Sequence, residues 1–295
     1  MRQEDFYPPY GFLALTPERS AYEASRAVVL PVPYDSTVTA RAGARDGPHA
    51  IISASQDLEP YDLALGYDTS AHGIHTLPDV APHSGSPEAM VDRVERVVGS
   101  LLDDGKFVLT LGGEHTITVG AVRAHARRFP DLSVLSFDAH ADLREEYLDS
   151  PYNHACVMRR VLDVCPAVQV GMRSASADQA RLIEERKLPF LTTKAYRALV
   201  GAPAAISALL TENVYVSVDL DGLDPSQMAA VGTPEPGGLL WDEVIDLLTA
   251  VARERRIVGC DVVELAPDLG PFACGVLAAK LAYRLIGLAL GPPHQ

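Results

Sequence analysis

Asp138, His140 and Asp142 alternate with alanines in the run Asp138-Ala139-His140-Ala141-Asp142. In an extended segment, a spacing of two sends all three side chains to one side. Two carboxylates and an imidazole crowded at the end of a strand are costly unless something neutralises them, and a divalent cation does so. Asp219 and Asp221 repeat the alternation further along, and His115 supplies a second imidazole after the pair Gly112-Gly113. Each cluster alone has an ordinary explanation. Asp-Gly and Asp-Pro pairs are turn chemistry, and an isolated histidine is usually a satisfied core residue. Three such clusters, each following an apolar run, are harder to assign to solvation. Two histidines and four aspartates exceed what one tetrahedral zinc needs, and no thiolates stand at structural-site spacing. Oxygen-rich ligation with some imidazole suits a pair of Mn²⁺ ions.

The elements that must position these residues follow from the pattern of apolar runs. Strands are expected at 26–32, 107–111, 133–137, 167–170, 190–192, 214–218 and 257–263. Most are rich in Val, Leu and Ile with little alternation, as in strands buried on both faces. Helices are expected between them. Ser86-Pro87 marks one start, Val91, Val94, Val98, Leu101 and Leu102 recur at helical spacing, and Gly105 marks the end. Further helices are expected at 241–253 and 272–290. Strand–helix alternation implies a three-layer α/β/α fold with a mainly parallel sheet, whose ligands bind beyond the carboxyl ends of the strands. Residues 1–16 and 291–295 read as terminal arms, and 58–77 offers no chemistry legible in sequence.

Composition narrows the function classes. The 295 residues carry a formal net charge of −14, which argues against nucleic acid as a partner and suits a cationic substrate. Apolar residues make up 47%, enough for a sizeable core, yet no run of about 18 uninterrupted apolar residues suggests a membrane span. The first residues, Met1-Arg2-Gln3-Glu4-Asp5, lack the apolar stretch of a signal peptide. Cys156, Cys165, Cys260 and Cys274 fall at no framework spacing, and a cytoplasmic location with reduced thiols is expected.

Together the clusters resemble the ureohydrolases, the family of arginases and agmatinases. The resemblance rests on Gly112-Gly113-Glu114-His115, on Asp138 through Asp142, and on Ser217-Val218-Asp219-Leu220-Asp221-Gly222-Leu223-Asp224-Pro225. It extends to Gly43-Ala44-Arg45-Asp46-Gly47-Pro48 and Asp261-Val262-Val263-Glu264. It implies one ureohydrolase domain over 1–295 with two Mn²⁺ ions. His115 and Asp142 would serve one ion, His140 and Asp221 the other, with Asp138 and Asp219 bridging. It implies that Asp142 also accepts a hydrogen bond from the nucleophilic water. Tyr152-Asn153-His154-Ala155 and the loop Gly232 to Gly238 look closest to agmatinases, whereas Asp142-Leu143-Arg144 departs from the arginase stretch that holds the amino-acid end of arginine. His154 is then the candidate proton shuttle and Glu264 the candidate guanidinium anchor.

The expected reaction is hydrolysis of agmatine or N1-aminopropylagmatine to urea and putrescine or spermidine, in polyamine biosynthesis. By analogy with the family, a homo-oligomer, trimer or hexamer, is expected. Other readings are guanidinobutyrase, formiminoglutamase or arginase activity, a single-metal amide deacetylase on the related fold, and a non-catalytic metal- or polyamine-binding protein. Glu145, Glu146 and Asp149 are expected to form an acidic rim for a distal ammonium.

Overall fold

The computed structural model describes residues 10–293. Of the expected terminal arms, residues 1–9 and 294–295 lie outside the described residues. The elements run α1 (Pro17–Ser20), β1 (Ala27–Val32), α2 (Gly47–Ser55), β2 (Tyr61–Asp62), β3 (Tyr67–Asp68), β4 (Ile74–Thr76), α3 (Pro87–Asp103) and β5 (Phe107–Gly112). They continue with α4 (Thr118–Arg128), β6 (Leu132–Phe137), α5 (Val157–Leu162), β7 (Ala167–Met172), α6 (Ala177–Arg186), β8 (Phe190–Thr192), α7 (Thr193–Ala198) and α8 (Ala202–Ser207). The last are β9 (Asn213–Asp219), α9 (Trp241–Glu254), β10 (Arg256–Val263) and α10 (Phe272–Leu290).

Eight strands form one sheet in the order β4-β1-β5-β10-β9-β6-β7-β8, and every pairing in it is parallel. The expected α/β class with a parallel sheet is the one found. β1, β5, β6 and β7 are buried along their whole length, which is why they read as unbroken apolar runs rather than alternations. One core lies on each face. Ile51, Ile206, Leu247 and Leu281 pack on one side, and Val94, Val122 and Val161 on the other. The start of α3 follows its sequence signals. The Ser86 hydroxyl accepts from the Ala89 N–H at 3.3 Å, with Pro87 in the first turn.

The segment 58–77 folds as the antiparallel pair β2–β3, a short 3₁₀ turn and the edge strand β4, which extends the sheet beside β1. It is fastened to α10. Asp62 accepts from Arg284 Nε at 2.6 Å and Nη2 at 2.8 Å, and the Tyr67 hydroxyl donates to the Gly287 carbonyl at 2.9 Å. Helix α10 is apolar and long enough to cross a membrane by composition alone, but it is mostly buried within the fold and carries this ion pair. Asp62→Asn leaves Arg284 buried without its counter-charge and is expected to cost about 3–5 kcal/mol. The midpoint of denaturant unfolding measures it, and a shift worth less than about 1 kcal/mol would show that the pair does not anchor the segment.

Candidate active site

The four central strands β5, β10, β9 and β6 are consecutive neighbours in the sheet, and their carboxyl ends deliver the candidate residues. His115 follows β5, Glu264 follows β10, Asp219 ends β9 with Asp221 just beyond, and Asp138 follows β6. Gly113 permits the close approach of the turn after β5 to the segment after β1, because a Cβ there would stand 2.0 Å from the Tyr34 carbonyl oxygen. Gly112 is likewise required by packing, since a Cβ there would stand 2.7 Å from Val263 Cγ1.

The side chains converge. His115 Nδ1 lies 3.4 Å from Asp138, 3.2 Å from Asp142 and 3.3 Å from Asp219. His140 Nδ1 lies 3.0 Å from Asp221 and 3.7 Å from Asp138. Two groups therefore have the spacing of a metal site, His115-Asp138-Asp219 and Asp138-His140-Asp221, and Asp138 belongs to both. Asp219 falls in the first group only. The extended run expected through Asp142 ends earlier. His140 makes the last sheet-like bridge, to Ser174, and Asp142 turns with φ of 49°. That left-handed turn carries the Asp142 carboxylate to His115. Glu264 has φ of 67°. Such strain in non-glycine residues persists where the surrounding structure imposes it.

The donor set fits a pair of cations. Asp138 Oδ2 is buried with no hydrogen-bond donor, facing the imidazole Nδ1 of His115. Burial first, then Asp142 and Asp221, push the Asp138 carboxyl up to about 8. Burial and the same crowding hold Asp219 well above the usual carboxylate range. Burial opposes the charging of His115, but Asp138, Asp142 and Asp219 outweigh it and raise its pKa. These are the marks of carboxylates and imidazoles gathered for positive charge.

Neighbours fix the orientation of the set. Ser217 Oγ donates to Asp261 at 2.7 Å and receives His115 Nε2 at 3.0 Å, which turns Nδ1 towards the carboxylates. Asp261 also accepts from the hydroxyls of Tyr215 at 2.8 Å and Thr118 at 2.9 Å. At the second group, Asp221 accepts from the Ala139 N–H at 3.0 Å and the Thr233 hydroxyl at 3.1 Å. Arg173 braces these loops by donating to the carbonyls of Gly171, Asp221, Gly222 and Glu235. Asp261→Asn replaces one of the two acceptor oxygens shared by Ser217, Tyr215 and Thr118 with an N–H₂ donor, and is expected to weaken metal affinity about 10–100-fold at the His115 site. Competition against a chelator reads this, and unchanged affinity would remove Asp261 from the support.

A cavity of about 280 Å³ opens over this centre, lined by His140, Asp142, Asp219, Asp221, His154 and Glu264. His154 is held by its own N–H on Thr37 Oγ1 at 3.0 Å and by Nε2 against Thr39 Oγ1 at 3.1 Å. Burial holds its pKa below the usual imidazole range, partly countered by Asp142. Glu114 supports the same loop. Its carboxylate accepts from Thr37 N at 2.6 Å and Thr37 Oγ1 at 2.7 Å, and burial pushes it up to about 7. Glu264 accepts the His115 N–H at 2.6 Å.

Sequence reasoning did not find Asp261, Glu114, Thr37 or Arg173 as supports. Asp261 and Glu114 did lie within the quoted motifs, and a charged residue inside an otherwise apolar strand was the available signal for Asp261. The acidic rim is displaced: Glu145 and Glu146 line a neighbouring pocket that shares Arg144, Ser176 and Gln179 with the catalytic cavity. Glu145 is paired with Arg159 and Arg160, both at 2.6 Å, and none of Glu145, Glu146 and Asp149 lines the cavity. The loop folds back through a Tyr147–Ser150 bridge, with Leu148 and Asp149 left-handed, so Arg144 and Tyr147 form the wall instead.

Residues 25–287 match the Arginase family. The chain is 43% identical over 270 residues to an N(1)-aminopropylagmatine ureohydrolase of Thermus thermophilus, covering 90% of this chain and 91% of that protein. It is 39% identical over 280 residues to the N(1)-aminopropylagmatine ureohydrolase of Synechocystis, covering 91% and 90%. Among solved structures, the agmatine ureohydrolase of Thermoplasma volcanium superposes with a TM-score of 0.87 at 34% identity, covering 97% of this chain and 96% of that one. With a full-length match in sequence and fold, and two overlapping histidine–aspartate groups at the strand ends, the chain belongs to the arginase family and is a ureohydrolase.

Proposed function

We propose that this ureohydrolase acts as a single domain on agmatine or N1-aminopropylagmatine, releasing urea and putrescine or spermidine in polyamine biosynthesis. The observation that carries the reading is the pair of metal-spaced groups sharing Asp138 beneath a cavity lined by Glu264 and His154. The Thermus and Synechocystis relatives, by their names, act on N(1)-aminopropylagmatine, and this supports the choice of substrate. Two Mn²⁺ ions suit the donors: His115, Asp138, Asp142 and Asp219 would hold one, and Asp138, His140 and Asp221 the other, with Asp219 shared on the family resemblance alone. When bound, they supply Lewis acidity and bring the pKa of water from about 15.7 towards about 7.

The remaining work falls to the chain. Glu264 attracts the guanidinium and orients it; one of its oxygens is already tied to the His115 N–H, so its grip is fixed in direction. Asp142 accepts a hydrogen bond from the attacking water, and His154, neutral at rest, takes up a proton through the open cavity and passes it to the leaving amine. The neutral wall of Thr39, Tyr147, Ser174 and Gln179 accommodates an alkyl chain. One observation favours a second reading. Arg144 lines the cavity, 4.6 Å over the Tyr147 ring, and would pair with a carboxylate tail such as that of 4-guanidinobutyrate. A cytoplasmic homo-oligomer, trimer or hexamer, is also proposed, on the family resemblance and the four free cysteines.

Metal analysis of protein purified with Mn²⁺ tests the centre. About two ions per chain are expected. A reproducible value of one with full activity contradicts the two-metal reading.

A further inference from the structure

A second cavity, of about 480 Å³, lies at the opposite edge of the sheet, where β1, β5 and β10 begin. Arg26, Lys106, Arg128 and Arg256 border it, against the apolar side chains of Phe107, Phe129 and Ile257. Among the described residues, none of the four cations forms an ion pair with a carboxylate. Lys106 donates to the carbonyls of Tyr22 and Ser25 at 2.6 and 2.8 Å, which places its ammonium without neutralising it. The guanidiniums of Arg128 and Arg256 sit 6.0 and 5.6 Å from the centre of the Phe129 ring, so one aromatic positions both. In a chain of net charge −14, four cations that border one cavity with no carboxylate counter-charge among the described residues repel one another. An anion in the cavity relieves that repulsion. Its volume exceeds that of the catalytic cavity and falls in the usual range for small-molecule sites, roughly 300–1,000 Å³.

We propose that this cavity binds an organic phosphate, with the phosphate held by Arg26, Lys106, Arg128 and Arg256 and a flat or apolar body resting on Phe129, Phe107 and Ile257. Guanidiniums supply forked donors to phosphate oxygens, and Lys106 adds a point charge. The six-residue strand β5 separates this site from the metal centre by roughly 20 Å. Binding here therefore does not depend on the substrate reading.

The test is calorimetric titration of the full-length, Mn²⁺-loaded protein with adenosine monophosphate and, separately, with inorganic phosphate, at low and at physiological salt. The expected result is saturable binding of the nucleotide that weakens as salt rises. It should fall about tenfold or more in the Arg128→Gln/Arg256→Gln protein, the scale of a lost charged contact. That double variant should keep wild-type urea release in the absence of nucleotide, which reports that it is folded. No nucleotide binding at low salt, or equal affinity in the double variant, overturns the site. Inorganic phosphate binding as tightly as the nucleotide overturns the apolar subsite.

Discussion

Asp138→Asn is expected to abolish useful catalysis, with turnover falling about 10³-fold or more, the scale of losing a principal electrostatic contribution to the transition state. Asp138 is the one residue common to both metal-spaced groups among the described residues. Its Oδ1 accepts the His140 N–H at 2.6 Å, while its Oδ2 faces His115 with no donor of its own. An amide there removes one negative charge and places either a neutral oxygen or an N–H₂ group where a cation belongs. Metal content should drop below two ions per chain while the circular dichroism spectrum stays that of the parent. Full turnover with two ions bound would show that Asp138 does not bridge.

His154→Asn should behave differently. The histidine lies over the centre and is held by Thr37 and Thr39. Burial keeps it biased towards the neutral imidazole, which can take a proton and return it. Asparagine retains a polar contact to Thr39 but cannot carry the proton. Turnover should fall about 10²–10⁴-fold, the usual cost of removing a general acid–base group. Metal content should remain at the parent's value, which separates this variant from Asp138→Asn. Wild-type turnover in His154→Asn would remove the residue from proton transfer.

The sheet was largely legible because its strands are buried on both faces and so appear as uninterrupted Val- and Leu-rich runs. Every strand expected from these runs was found, and the helix 272–290 has the expected ends. What stayed hidden was short or exposed. β4 has three residues at the sheet edge, and β2 and β3 have two each. Segments of that length carry no period, and 58–77 owes its order to long-range bonds from Arg284 and Tyr67. The metal-spaced residues were legible because chemistry of one kind recurred at several strand ends. Their supports were not. That Ser217 links His115 to Asp261, or that Glu114 reaches His154 through Thr37, depends on which loops face each other in space. The displacement of the acidic rim was hidden for the same reason. Three acids within one loop are near in sequence, but Glu145 is taken by two arginines of α5.

Urea release by the Mn²⁺-loaded protein, measured as kcat/KM on agmatine, N1-aminopropylagmatine, 4-guanidinobutyrate and arginine, decides which tail the cavity selects. Agmatine or N1-aminopropylagmatine should be the best substrate, exceeding arginine by about 100-fold, the scale on which binding alone separates closely related substrates. Arginine as the best substrate, or no urea from any of the four with two ions bound, would contradict this reading.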